Sequence, residues 1–158
     1  FVGAQVSTAS TMDGKQISPL DKFHEYCTRG VEEEVEATLK KNSSIVNKEG
    51  KLGNTALHWA SSGGHEKVVS MLIDSKANIN AQNKVKDTPL HAAAWRDRVK
   101  VITLLVNAGA DKTIKNKDGK VALDLGRSVA AREQLLMISQ AEAKNTIVMD
   151  NDDDSDTD

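Results

Sequence analysis

The sequence predicts an all-α solenoid of about four helix-turn-helix units, stacked side by side with hairpin tips between them. Three observations carry this expectation. A short motif recurs at a fixed interval: Thr55-Ala56-Leu57-His58 returns 33 residues later as Thr88-Pro89-Leu90-His91, and a period of that length marks stacked repeats. A paired apolar pattern follows each copy, with Val68, Val69, Met71 and Leu72 matched by Val101, Ile102, Leu104 and Leu105, the spacing of a helix with one buried face. Aromatic residues make up only 3% of the chain, so the core must come from Leu, Val, Ile and Ala, which suit small, closely packed helices.

Each element follows from residues of the right type in the right place. Thr55 and Thr88 stand where a hydroxyl caps a helix by accepting from free backbone N–H groups. Pro89 takes the first helical position, where its missing N–H costs nothing. Leu57 and Leu90 point inward, while Ala60, Ala93 and Ala94 let neighbouring helices approach closely. Gly64 ends a first helix, and Gly109, inside Ala108-Gly109-Ala110-Asp111, stops a second one by adopting left-handed backbone angles. Asn83-Lys84 and Asn116-Lys117-Asp118-Gly119 form the turns that link units. The motif is degenerate at both ends, as Asp21-Lys22-Phe23-His24 and as Val121-Ala122-Leu123-Asp124. Divergence of this kind suits capping units. Asp21 is expected to cap the first helix, Tyr26-Cys27 replace the small Ala pair, Val121 lacks a hydroxyl and Asp124 stands in the His position.

On these motifs the chain resembles the ankyrin-repeat family over roughly residues 17–140, divided at about 17–50, 51–83, 84–116 and 117–140. The resemblance implies paired antiparallel helices, a concave groove lined by the first helix of each unit, and a role in binding other proteins. Gln82-Asn83-Lys84 through His91-Ala92-Ala93-Ala94-Trp95, His58-Trp59-Ala60 with Gly63-Gly64-His65, and the Asp-rich end are more specifically similar to the osteoclast-stimulating factor 1 family. That likeness implies a cytoplasmic signalling adaptor with a Src-homology-3 domain ahead of the repeats. Residues 1–16, rich in Ser, Thr and Gly, hold no such core and read as a flexible linker. Lys86 replaces the turn glycine expected before the Thr88 cap, which implies a stiffer or more strained hairpin.

Charge is unevenly spread. Asp150, Asp152, Asp153, Asp154, Asp156 and Asp158 are six of the 23 acidic residues, and without them 17 acids face 21 bases. Residues 141–158 therefore read as an acidic disordered tail, too poor in apolar side chains to fold alone. Ser155, three residues before Asp158, suits an acid-directed kinase. A mildly basic body with an acidic tail lacks the dense positive footprint of a nucleic-acid binder. No apolar run is long enough to span a bilayer. Cys27 is the only cysteine, so an internal disulfide is ruled out and a reducing compartment is the natural reading; the chain is expected to be cytoplasmic and monomeric.

No chemistry is expected. His58, His91 and His24 belong to the repeat motif, where the imidazole holds backbone groups. None has a Cys, Asp or Ser partner at a nucleophile or metal-ligand spacing, and no glycine-rich phosphate loop occurs. The sequence thus predicts no catalytic, cofactor or metal site. Cys27 reads as an inert core thiol, and His65 as an exposed residue opening a second helix. Trp95 lies near the end of the third unit's first helix, at a position that the resemblance places in the groove. Trp59 lies on the corresponding helix of the unit before. Tryptophan beside arginine is the composition of an interface anchor, and Arg96 and Arg98 flank Trp95, with Arg29 equivalent to Arg96. Lys51, Lys84 and Lys117 recur at 33-residue intervals and should stack along the tips. These eight residues form the expected partner-binding set of a non-catalytic protein-interaction adaptor. The alternative is an inhibitor or assembly subunit of an enzyme complex. A hydrolase or transferase would need a catalytic pair that the sequence does not show.

Overall fold

In this computed structural model, which describes residues 11–12 and 15–136, the repeats form four helical units in a row. The acidic tail with Ser155, and most of the expected linker, lie outside the described residues. The first unit holds α1 (Pro19–Arg29) and α2 (Glu32–Lys41), the second α3 (Ala56–Gly63) and α4 (Glu66–Asp74). The third holds α5 (Pro89–Trp95) and α6 (Val99–Asn107). The fourth holds α7 (Ala122–Leu125) and α8, helical over 129–136. Helices α1, α3, α5 and α7 pack in order as an inner layer, and α2, α4 and α6 follow one another outside. Ahead of them β1 (Thr11–Met12) and β2 (Lys15–Gln16) pair antiparallel. This ladder falls in the segment read as linker and is too short to contribute a core.

The core is aliphatic, as the composition requires. Leu57, Leu72, Leu90, Ile102 and Leu105 are fully buried, and Ala56, Ala60, Ala93 and Ala94 are buried at the contacts between inner helices. A larger side chain at those alanines would force the helices apart.

The histidines fix the register between units. Nδ1 of His91 accepts the backbone N–H of Thr88 at 3.1 Å and lies 2.8 Å from its hydroxyl. Nε2 lies 2.9 Å from the carbonyl of Lys120, in the next hairpin. Only a neutral ring protonated on Nε2 satisfies all three contacts, so the Thr88 hydroxyl donates to the ring. His58 repeats the arrangement with Thr55 at 3.1 and 3.0 Å and with the Asp87 carbonyl at 2.9 Å. The expected capping is present as a capping box in both units: the threonine hydroxyls face the N–H groups of His58 and His91, at a long 3.4 Å for Thr88, while each imidazole reaches back to the threonine N–H. Asp124 accepts the Val121 N–H at 3.0 Å, but a carboxylate has no proton to pass to a further hairpin.

The first unit also differs from the sequence expectation. Ser18, not Asp21, caps α1: its Oγ accepts from Asp21 N–H at 3.0 Å, and Pro19 occupies the first turn. The helix begins a turn earlier, so Asp21 lies within it. His24 stays buried, and its Nε2 has no hydrogen-bond partner.

Hairpin tips are bonded to one another. Lys84 N–H donates to the Leu52 carbonyl at 3.0 Å, and Lys117 N–H to that of Val85 at 2.9 Å. Asn83 Oδ1 accepts from the N–H groups of Val85 and Asp87, while its Nδ2 donates to Asn54 at 2.8 Å. Asn116 does the same one period later, with Nδ2 donating to Asp87 at 2.9 Å. Gly53, Lys86 and Gly119 occupy equivalent turn positions at φ 75°, 65° and 74°. The strain expected at Lys86 is therefore present, because a Cβ crowds the backbone at left-handed angles.

Two stability measurements check this reading. Lys86→Gly should raise unfolding stability by about 1 kcal/mol in urea, the left-handed strain outweighing the extra chain entropy of glycine. Burial holds the His58 imidazole below its ordinary pKa of 6.5. The unfolded chain then binds more protons, so stability is lost as pH falls from that ordinary value toward the folded one. Between about pH 7 and pH 5 the urea midpoint should fall, and in His58→Gln, although less stable throughout, it should fall less.

Candidate protein-interaction surface

The inner helices and tips bound an open cleft of about 430 Å³, whose lining includes Trp59, Trp95 and Arg96 from the helices and Asp87, Asp118 and Lys120 from the tips. Trp95 ends α5 and is 54% exposed, a large apolar surface left beside polar neighbours. Arg127 covers it, with the guanidinium carbon 5.8 Å from the ring centroid, within cation–π range. The sequence reading did not include Arg127. Its signal was the repeat itself, since Arg127 lies one 33-residue period after Ala94, next to Trp95.

Trp59 is half-buried against the core and borders two depressions at once. On one side is the cleft with Trp95. On the other is a hollow of about 550 Å³ lined by Asp21, His24, Glu25, Thr28 and Lys51, among others. The Trp59 Nε1–H is buried without a partner, an unsatisfied donor that costs stability.

The remaining expected site residues separate. Arg96, at the C-cap of α5, is exposed on the cleft. Arg98 is exposed, but its Nε–H donates to the Ser62 carbonyl at 3.0 Å and its stem lies over Gly64. The guanidinium thus serves the end of α3, where free carbonyls attract a cation. His65 does the equivalent one unit earlier, with Nε2 2.8 Å from the Thr28 carbonyl and its ring against Gly30 and Gly63. It is half-buried, not exposed as the sequence suggested. Arg29 pairs with Glu25 at 3.3 Å on the open face of α1, a contact of little energetic weight. Lys51, Lys84 and Lys117 are exposed on successive tips, and Lys51 also borders the first hollow.

Asp97 is a further residue the sequence did not flag. It takes a left-handed turn at φ 55° where the preceding units have Gly30 and Gly64. Its Oδ1 accepts from the N–H groups of Arg127 and Ser128 at 3.0 and 2.8 Å, joining the third unit to the start of α8. The Ser128 N–H holds its carboxyl below the usual range, helped by the Arg127 N–H. This contact also places Arg127 beside Trp95.

Burial pushes the Cys27 thiol up to about 12, so it stays protonated and unreactive at neutral pH. Among the described residues no three His, Cys, Asp or Glu side chains are grouped to hold a metal, and no helix is long and apolar enough to cross a membrane.

Stacked helix pairs, bonded tips and a polar inner face with exposed Trp define a repeat scaffold for binding proteins. A family model of three ankyrin repeats matches residues 23–116, more than half of the chain, and the chain belongs to the ankyrin-repeat family. The match ends before the degenerate fourth unit. Among curated proteins, none matches the chain.

If Trp95 belongs to a surface and not to the core, Trp95→Ala should change unfolding stability by less than about 1 kcal/mol. Leu90→Ala, buried on the same helix, should cost about 3 kcal/mol. Equal losses in thermal or urea melts would place Trp95 among the stabilising contacts.

Proposed function

We propose that this protein is a non-catalytic adaptor that binds a segment of another protein across the concave cleft, anchored on Trp95. The observation that carries the reading is the half-exposed Trp95 ring beneath Arg127, in one cleft with Trp59 and Arg96. An aromatic ring and guanidinium groups in a concavity are the components of an interface hot spot. Lys51, Lys84 and Lys117 would extend the surface along the tips, while Arg98 is engaged at the end of α3 and Arg29 with Glu25. The likeness to the osteoclast-stimulating factor 1 family supports a cytoplasmic signalling role, exerted by a monomer on protein partners and not on nucleic acid.

Affinity capture with the full chain, and with Trp95→Ala and Arg127→Ala variants, tests this. Partners held by the native chain should be lost from both variants, with purified complexes weakened by about 2 kcal/mol, roughly 30-fold, at Trp95. Unchanged binding by both variants would sink the reading. Assaying the captured partner for activity, with and without this chain, distinguishes an adaptor from an inhibitory subunit.

A further inference from the structure

The tips carry a charge that the Trp95 cleft does not require. Lys48 and Lys51 stand at the first tip, Lys84 and Lys86 at the second, and Lys115, Lys117 and Lys120 at the third. All seven are exposed, and the ion pairs among the described residues lie elsewhere, at Arg29, Lys40, Lys67 and Lys100. Acids on the same ridge are fewer: Glu49, Asp87 and Asp118, with the Asp87 carboxylate already accepting from Asn116. The backbone bonds from Lys84 to Leu52 and from Lys117 to Val85 hold successive tips side by side. Stacked helices set their spacing at roughly 10 Å. At that spacing, beyond the screening length of about 8 Å in physiological salt, charges on neighbouring tips are largely screened from one another, and the screening lifts as salt is lowered. At low salt the ridge carries a positive potential.

The same sequence carries its complement, since six aspartates lie within residues 150–158. The fold also directs the chain toward the ridge. Helix α8 runs alongside α6 in the same direction: Asp97 meets Ser128 at their starts, and the Thr103 hydroxyl donates to Gln134 Oε1 at 3.0 Å further along. Residue 136 is therefore level with the last turns of α6, from whose end the chain passes to the third tip. The fourteen residues from 136 to 150 reach about 45 Å when stretched and roughly 20 Å as a flexible coil. At full stretch that exceeds the span of three tips set about 10 Å apart.

We propose that the lysine ridge is a docking surface for this chain's own residues 150–158, which an acidic ligand must displace to bind there. Single exposed ion pairs are weak, so the contact depends on several at once and on tethering, which gives an effective concentration in the millimolar range. A phosphate on Ser155 would add up to two negative charges and strengthen it. The contact is independent of the Trp95 anchor.

The test compares the full chain with a full chain carrying Asp152→Asn, Asp153→Asn, Asp154→Asn and Asp156→Asn, none of the four lying in the repeats. At low salt, backbone amide NMR shifts should differ between the two at Lys51, Lys84 and Lys117, and the differences should vanish at high salt. A free peptide of residues 150–158, used as the probe, should bind the Asn form at least about threefold more tightly than the native chain. Replacing Lys51, Lys84 and Lys117 by Gln should abolish both effects. Superimposable low-salt spectra would overturn the proposal. So would shift differences that grow with protein concentration, which indicate a second copy's tail, or differences that map to Trp95 instead of the tips.

Discussion

A buried imidazole has two ring nitrogens, and inside a helical stack each needs a partner that water cannot supply. At His58 and His91 one nitrogen faces the start of its own helix and the other a carbonyl in the following hairpin. Much of the repeat serves this bridge. The inner helices must lie close, which the buried alanines permit. The hairpin must present its carbonyl inward, which requires a tight turn. The carboxamides of Asn83 and Asn116 form that turn, with a left-handed residue at Gly53, Lys86 or Gly119. The turn is tolerable at Lys86 because the same bonds that strain it also hold it in place.

The inner helices, the small residues between them and the bridging histidines were legible in the sequence because each is a local residue type returned by one period. Ser18 was not. Aligning the first unit on His24 places its cap at Asp21, whereas the Ser-Pro pair just ahead offers a hydroxyl and a preset first turn. At the surface, Trp95 could be read as external, since its equivalent one period earlier is the polar Ser62. Arg98 looked like its companion only along the chain. The turn after α5 carries that side chain back to Ser62, and Arg127 arrives from the next unit instead. Contacts across units are hidden from linear reading unless the sequence is folded at its period.

The fourth unit shows how a weakened motif is held in place. Val121 and Asp124 retain only half of the bridge, and the family match stops before them. Attachment passes instead to side chains of the third unit: Asp97 binds the N–H groups at the start of α8, and Thr103 binds Gln134. The charge on Asp97 therefore helps hold together the face on which Trp95 and Arg127 meet.

The unpartnered Nε2 of His24 has a consequence for how the array comes apart. In a one-dimensional stack, the boundary between ordered and disordered units settles at the weakest seam. Between the first and second units the ties are His65 to Thr28, Asn47 to Lys76 and Asn78, and the Lys67–Glu32 ion pair, while the motif imidazole of His24 adds no bridge through Nε2. Detaching α1 returns a buried nitrogen to water and breaks the His65–Thr28 bond, whereas parting α3 from α5 breaks the Arg98–Ser62 bond and the His58–Asp87 bridge as well. Fraying thus starts at the first unit, and the second and third units unravel together as one cooperative block. Trp59, which borders the hollow on that seam and the cleft beside it, sits where the fraying would stop.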